Sequence, residues 1–276
     1  MANFVCVPFL PHAGQFMGVP YFYAVSLGNR TVSKIPTQGG YDLYRCLSVD
    51  TENETLIAID AYTKQLNSIN WYTGDFTPLM NVSTVVDKVG NGHSYDSKNK
   101  VLYALTLDFS ATHSAGYANV INIIDIVNQK ITNHSILCEY KVCDVNFDPS
   151  DGELYAMEYE AGWGKTLGHS QPANQTVYVG RINQQTWKFE RLVSLIVPFY
   201  SNNFLTAYSS TRGYYALAWP EPDYEPYVSS SNGVLQVVDV RSKTIVYKGQ
   251  VKGWSMRGKT GANQQTQLLL DLAFSD

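Results

Sequence analysis

Short apolar segments that end at polar turns recur along this chain. In each unit an apolar strand runs into a turn rich in Asp, Ser, Asn and Gly. A second strand follows and carries an aromatic or aliphatic residue and then Ala. The units are 47–58, 94–104 and 146–156, and a fourth, 207–216, fits with a turn one residue shorter. A small Ala at one place in every unit indicates a tight layer in which a larger side chain would meet the neighbouring sheet.

Each unit continues with two more strand-like runs, which are rich in β-branched residues and alternate in polarity. The repeated alanines, Ala58, Ala104, Ala156 and Ala216, are 46, 52 and 60 residues apart. Four strands per unit at that period are typical of propeller blades. The sequence therefore resembles β-propeller proteins in general, and the likeness covers nearly all of the chain.

The two ends of the chain predict a fifth blade. The run 268–276 resembles a first strand with nothing after it, and the run 21–25 resembles a second strand. If the two runs pair, the ring closes and no open sheet edge is left. We therefore predict an all-β fold, a five-bladed propeller of four-stranded antiparallel blades, in one domain over 1–276. The expected blades are 268–276 with 18–40, 41–84, 90–138, 143–197 and 202–250. Residues 1–17 add an outer strand or pack across one face.

Composition narrows the class of protein. The chain has 276 residues, of which 45% are hydrophobic and 13% aromatic, which excludes a disordered chain. The formal net charge is −4, and scattered Lys and Arg argue against nucleic-acid binding. No apolar run approaches the 18 residues of a membrane span.

The location of the protein is open between the cytoplasm and the secretory pathway. No export signal stands at the N-terminus, where the first basic residue is Arg30. Sequons for N-glycosylation favour a secreted glycoprotein whose signal has been removed; they begin at Asn29, Asn53, Asn81, Asn133 and Asn174.

The four cysteines allow two interpretations. Cys138 and Cys143 are close enough in sequence for a local disulfide bond, whereas the alternative is four buried free thiols, with Cys6 and Cys46. Their spacing does not fit a structural zinc site. No two histidines have helical metal-ligand spacing, so we predict no metal and no cofactor.

Long loops predict a binding face. In a propeller the connection from second to third strand lies on the same side as the connection between blades, and three of these connections are long: 109–118, 160–175 and 220–231. Their aromatic and polar side chains suit a glycan, a peptide or a small molecule, and a protein partner fits the same surface. The alternative is that these side chains pack on one another over the channel mouth. The expected ligand-binding residues are His113, Tyr117, Trp163, Asn203, Trp219, Tyr224, Trp254 and Arg257.

The same face offers residues for acid–base chemistry. His93 begins a first strand and is expected at the channel mouth. There it would act as a general base, with the carboxylate of Glu139 nearby. The alternative for His93 is a hydrogen-bonded core histidine. Lys141 and His169 complete the candidate catalytic set. A lectin-like binding protein is the first hypothesis, and a propeller-fold hydrolase, lyase or isomerase is the second, because the fold alone does not decide between them.

Two further motifs carry no site. The segment 253–260 matches the phosphate-loop pattern, but only 16 residues follow it, so no nucleotide-binding β-α-β unit has room. Asp50, Asp96 and Asp148 recur at one repeat position, where turn capping explains them better than calcium binding.

Overall fold

The computed structural model describes residues 3–6, 21–26, 31–36, 44–50, 52–60, 63–70, 72–85, 89–106, 119–159, 174–198, 205–220 and 232–252. Their strands form five antiparallel sheets. The N-terminal sheet contains β1 (Asn3–Cys6), β2 (Tyr21–Ser26) and β3 (Thr31–Pro36). Blade 1 contains β4 (Tyr44–Asp50), β5 (Thr55–Asp60), β6 (Gln65–Asn70) and β7 (Phe76–Asn81).

The other three sheets repeat this four-stranded order. Blade 2 contains β8 (Val89–Asp96), β9 (Val101–Thr106), β10 (Val120–Asp125) and β11 (Lys130–Ser135). Blade 3 contains β12 (Lys141–Phe147), β13 (Leu154–Tyr159), β14 (Asn174–Asn183) and β15 (Lys188–Pro198). Blade 4 contains β16 (Leu205–Ser209), β17 (Tyr214–Pro220), β18 (Asn232–Asp239) and β19 (Thr244–Lys252).

The blades are arranged as in a β-propeller, with their first strands innermost. β4 lies beside β8, and β8 lies beside β12. Side chains on alternate positions of each strand face the preceding blade and the following blade. Hydrophobic clusters fill all three junctions between the four blades. In this fold the core is therefore divided among the junctions and holds neighbouring blades together.

The number of blades differs from the prediction. Within the described residues, the structure has four four-stranded blades rather than five, and the N-terminal sheet has three strands. β1 occupies the edge of β2 that we predicted for the C-terminal run, and β3 occupies the other edge. Both backbone edges of β2 are thus already paired, which leaves none for 268–276. That run itself lies outside the described residues.

The layer of small residues is confirmed in three blades and corrected in the fourth. Ala58, Ala104 and Ala156 are fully buried. Each stands four residues after the turn residue with positive φ, and in blade 4 that position belongs to Leu217. Ala216 is therefore one residue out of register with the other alanines. The cause is that the blade 4 turn has the same length as the others: the N–H of Gly213 bonds to Ser209, as that of Gly152 bonds to Asp148.

Side-chain caps close the turns of this fold, as predicted for the repeated aspartates. Asp50 accepts the backbone N–H groups of Glu52 and Asn53 through Oδ1. Asp96 and Asp148 cap their turns in the same way. The carboxylates thus satisfy backbone donors that the tight turns leave unpaired.

Within the described ranges, no helix is both long and apolar enough for a membrane span.

Candidate functional site

The loop-rich face lies where second strands end and first strands begin. Most of the residues predicted to act there fall outside the described residues, so their roles stay predictions. These are the ligand-binding candidates His113, Tyr117, Trp163, Asn203, Tyr224, Trp254 and Arg257 and the catalytic candidate His169. Four predicted residues lie within the described residues, namely His93, Glu139, Lys141 and Trp219.

Trp219 lies in the junction between blades 3 and 4. Its side chain is 2% exposed and belongs to the cluster that contains Tyr159 and Leu217. β17 places it at the loop-rich end of that junction, where it pairs with Val234 of β18. The indole is therefore a core side chain that lies beneath the loop-rich face.

His93 is on β8, and its side chain lies against β4, the first strand of blade 1. Its Nδ1 is 3.0 Å from Oγ of Ser48 on β4. Burial lowers the pKa of the imidazole from 6.5 to about 4, because the packed ring favours the uncharged form. His93 is consequently neutral at physiological pH. In the part of the chain that the structure describes, no hydrogen bond joins it to Glu139.

Glu139 belongs to a network that fixes the connection from blade 2 to blade 3. Its carboxylate lies 2.9 Å from Nη2 of Arg191. Hydrogen bonds with Tyr140 and Arg191 lower the pKa of Glu139. The side chain is nevertheless 60% exposed, so the carboxylate is presented to solvent.

Glu158 is the buried acceptor at the centre of this network. Its side chain is 1% exposed, and Oε1 accepts the backbone N–H groups of Glu139 and Tyr140, both at 2.8 Å. Oε2 accepts a bond of 2.6 Å from Nε of Arg191. A buried carboxylate with three such donors is well satisfied, and it holds the connecting segment rigidly against blade 3.

Two tyrosines complete this part of the face. The Tyr140 and Tyr178 rings are parallel, with centroids 6.4 Å apart. The guanidinium carbon of Arg191 lies 3.9 Å from the Tyr178 centroid and 5.3 Å from that of Tyr140. This cation–π contact adds to the ion pairs. We call Glu139, Tyr140, Glu158, Tyr178 and Arg191 the junction cluster.

Sequence reasoning found Glu139 but missed most of the junction cluster. Lys141, predicted beside it, begins β12 and pairs with Tyr159. Arg191 is 33 residues from Glu158 in sequence, so no local spacing reports their contact. A usable signal was Glu158 itself, a charged residue in the otherwise apolar second strand Leu154–Tyr159.

The cysteines correct another expectation. Cys138 and Cys143 are both free thiols, so the prediction of a local disulfide bond between them is wrong. Cys138 Sγ instead accepts a hydrogen bond from Nδ2 of Asn119 at 2.8 Å. Burial raises the pKa of Cys138 to about 11 and that of Cys143 further, so both remain protonated.

Among the described residues, no group of three or more His, Cys, Asp or Glu side chains is arranged to hold a metal ion.

Comparisons with known proteins identify the fold. No family model and no curated protein sequence matches this chain. TolB from Acinetobacter baumannii is similar in structure, with a TM-score of 0.52 and 10% identity over 88% of this chain and 51% of that one. A protein of unknown function from Bacteroides thetaiotaomicron gives a TM-score of 0.50 and 12% identity, over 85% of this chain and 54% of that one. This chain thus spans about half the length of both structures.

A third similar structure is a chain of a nidogen/laminin complex, with a TM-score of 0.48 and 8% identity over 90% of this chain and 93% of that one. At these levels of identity the likeness concerns the fold alone. Together with the sheet order, the two likenesses at a TM-score of 0.50 or above identify the chain as a β-propeller.

Proposed function

We propose that this propeller is a binding protein that holds a polar ligand with flat apolar faces, such as a glycan or a peptide, on its loop-rich face. The junction cluster is the observation that carries the proposal. It presents an exposed carboxylate beside two parallel tyrosine rings, and a buried glutamate keeps both in place. Aromatic faces pack against the apolar side of a sugar or peptide, while the carboxylate accepts its hydroxyl or amide donors.

Rigidity supports binding at this place. Ordering side chains on association costs about 0.5–1.5 kcal/mol for each flexible side chain. Glu158 and Arg191 already order Glu139, Tyr140 and Tyr178 in the protein alone. A ligand at this surface therefore loses less free energy to reorganisation than it would on a flexible loop.

The test is a binding screen with glycans and short peptides, followed by calorimetry on variants. Tyr178→Ala is expected to weaken binding at least tenfold, and Trp163→Ala and Tyr224→Ala are expected to weaken it with little change in melting temperature. The matched control is Tyr72→Ala, since Tyr72 is 66% exposed on the opposite face. Equal losses from Tyr72→Ala and Tyr178→Ala would refute a site on the loop-rich face, and so would ligand density found only on the opposite face.

The completed ring belongs to the same proposal. Blade 4 exposes Val246 and Tyr247 on β19, which are 45% and 47% exposed. An open apolar groove of about 300 Å³ lies beside them, on the side away from blade 3. The N-terminal sheet would cover this surface if it closed the ring against blade 4. Four sequon residues are exposed, Asn53, Asn81, Asn133 and Asn174. They are compatible with a secreted glycoprotein, which expression with deglycosylation would test.

An enzyme is the second candidate, supported by the contact between His93 and Ser48. A neutral imidazole within 3.0 Å of a hydroxyl is able to accept its proton. This hypothesis predicts hydrolase activity toward ester substrates that His93→Gln abolishes without loss of ligand binding. A wild-type protein that binds ligand and turns over no ester would contradict it.

A further inference from the structure

A cavity of about 250 Å³ opens between blades 1 and 2 on the turn side, opposite the loop-rich face. Its polar lining includes Thr55, Ser68, Tyr95 and Lys100, and Ile57 and Leu79 are among its apolar walls. Thr55 and Ser68 belong to blade 1 and face blade 2, whereas Tyr95 and Lys100 belong to blade 2. The cavity is therefore part of a junction between blades.

The equivalent space is filled at the next junction. Ser68 pairs with Ile57, as Ile123 pairs with Tyr103 one blade further on. There Tyr103 stacks on Phe147 with centroids 5.5 Å apart, and Ile123 packs into the same cluster. Large apolar side chains thus occupy the place that Ser68 leaves open.

Between blades 3 and 4 an ion-pair network lies at the same place. Arg181, equivalent to Ser68, contacts Glu153 at 3.3 Å and Glu190 at 2.8 Å. Glu153 stands where blade 1 has Thr55, because both residues follow the turn residue with positive φ. Only small hydroxyl side chains hold these two positions in blade 1, and the cavity results from that difference.

Lys100 brings an ammonium group to the lining of the cavity. It holds the turn position that is Glu54 in blade 1, Gly152 in blade 3 and Gly213 in blade 4, and its φ is +57°. Because Glu54 has the same left-handed backbone, the conformation belongs to the turn, and the contribution of Lys100 to the cavity is its charge.

The chemistry of the lining selects a neutral ligand. Lys100 Nζ lies 3.4 Å from Asp50 and 3.6 Å from Glu52, so two carboxylates offset one ammonium and an anion gains little. Asp50 also accepts hydrogen bonds from Glu52 and Asn53, which leaves little capacity for a cation. The Thr55 hydroxyl is buried without a hydrogen-bond partner. The Tyr95 phenol stays protonated, because burial and nearby carboxylates raise its pKa.

We propose that this cavity is a second binding site, for a neutral ring-shaped ligand rich in hydroxyl groups, of monosaccharide size. Hydroxyls of the ligand would satisfy Thr55, Ser68, Tyr95 and Lys100, and its apolar face would pack on Ile57 and Leu79. The site is independent of the proposed function, since it lies on the opposite face from the junction cluster.

The test is saturation-transfer NMR on the full chain with glucose, galactose and mannose, each titrated to about 50 mM, a range that covers weak millimolar binding. Ser68→Ile fills the cavity with the residue that blade 2 has at the equivalent position, so we expect a folded protein that has lost binding at least tenfold. Thr55→Val keeps the shape and removes only the hydroxyl. We expect it to weaken binding severalfold without lowering the melting temperature.

Tyr178→Ala separates this site from the loop-rich face. Retained monosaccharide binding in Tyr178→Ala together with lost binding in Ser68→Ile supports the second site. Binding lost only in Tyr178→Ala would overturn the second site and leave the proposed function standing. Absence of binding by all three sugars in the wild-type protein, or unchanged binding in both Ser68→Ile and Thr55→Val, would also overturn it.

Discussion

Single residues with left-handed backbone end the turns of this propeller. The first-to-second turns place Glu54, Lys100, Gly152 and Gly213 there, with φ between 52° and 76°. The third-to-fourth turns use Gly74 in blade 1 and, in the other blades, Gln129, Trp187 and Lys243. Only some of these positions are glycine, although glycine alone adopts this conformation without a steric cost. The chain therefore carries local strain at several turns.

The first prediction measures this strain with an opposed pair of substitutions. Gly152→Ala should lower the free energy of unfolding by about 1–2 kcal/mol, because alanine resists a positive φ. A methyl group there meets no atom within 4 Å, so crowding does not contribute. Lys243→Gly should raise the free energy of unfolding by about 0.5–1 kcal/mol, since relief of strain exceeds the added chain entropy. Urea denaturation measures both, and destabilisation by Lys243→Gly would contradict the prediction.

The second prediction concerns the pH dependence of stability and rests on His93. Its pKa is about 4 in the folded protein and 6.5 in the ordinary imidazole. The unfolded chain therefore binds a proton first, and the stability due to neutral His93 is complete above pH 6.5 and declines as the pH falls toward 4. The loss should be on the order of 2–3 kcal/mol.

Denaturation curves between pH 7.5 and about 4 test this dependence against His93→Gln, which does not titrate. The wild-type protein should lose stability more steeply than the variant over this range. Parallel curves for the two proteins would show that burial of the imidazole does not govern acid sensitivity.

At the scale of the element, the unit of the fold is a blade made of two hairpins, in which equivalent positions face the neighbouring blades. One second-strand position is held by Ala58, Ala104, Ala156 and Leu217. The last three pack in the junction with the preceding blade. The third-strand residues paired with this position are Asn67, Asn122, Gly180 and Gln236, respectively. Three of the four are buried carboxamides, and Asn122 bonds to the carbonyl of Ala104 and the hydroxyl of Thr106. In blades 1 and 2 a small residue on the second strand therefore leaves room for an amide on the third strand.

The third prediction compares the alanine of blade 2 with the leucine that holds the equivalent position in blade 4. Ala104→Leu should destabilise the protein by about 1–3 kcal/mol, because a larger side chain overpacks the junction with blade 1. Leu217→Ala, at the equivalent position of blade 4, should cost about 2–5 kcal/mol because it leaves a cavity. Thermal and urea unfolding of both variants test the pair. A stable Ala104→Leu protein would mean that the junction adapts to the added volume.

The elements were predictable because their signals are local. Alternating polarity identifies strands, and Asp at a turn identifies hairpins such as Asp50 to Thr55. The strand Asn3–Cys6 was predicted only as one of two alternatives for residues 1–17, because a four-residue segment beside Pro8 carries a weak signal. The junction cluster and the cavity at Ser68 depend on contacts between distant segments, and no spacing within one blade indicates them. Glu139 was found only because its connection was predicted to reach the loop-rich face.

At the scale of the whole molecule, polar contacts add to the apolar junctions between blades. The Tyr215 hydroxyl donates to Asp144 at 2.6 Å, and the Tyr208 hydroxyl donates to Asp148 at the same distance. Both bonds link blade 4 to blade 3. Between blades 2 and 3, the backbone N–H of Phe147 donates to Ser94. Each blade is thus attached mainly to its neighbours, as in repeat proteins whose stability is a sum of nearest-neighbour terms.

The fourth prediction follows from this arrangement. Tyr215→Phe and Tyr208→Phe each remove a hydrogen bond to a carboxylate and should cost about 1.5–3 kcal/mol. The loss should lower the protection of amides in β16–β19 and leave β4–β11 nearly unchanged, because only the contact between blades 3 and 4 is weakened. Native-state hydrogen exchange resolves the two regions. Tyr72→Phe is the control, since Tyr72 makes an exposed contact of 3.4 Å with Glu54 and should change protection little. If protection instead falls equally in all four blades, the propeller opens as one cooperative unit, and the contacts between blades determine its stability as a whole.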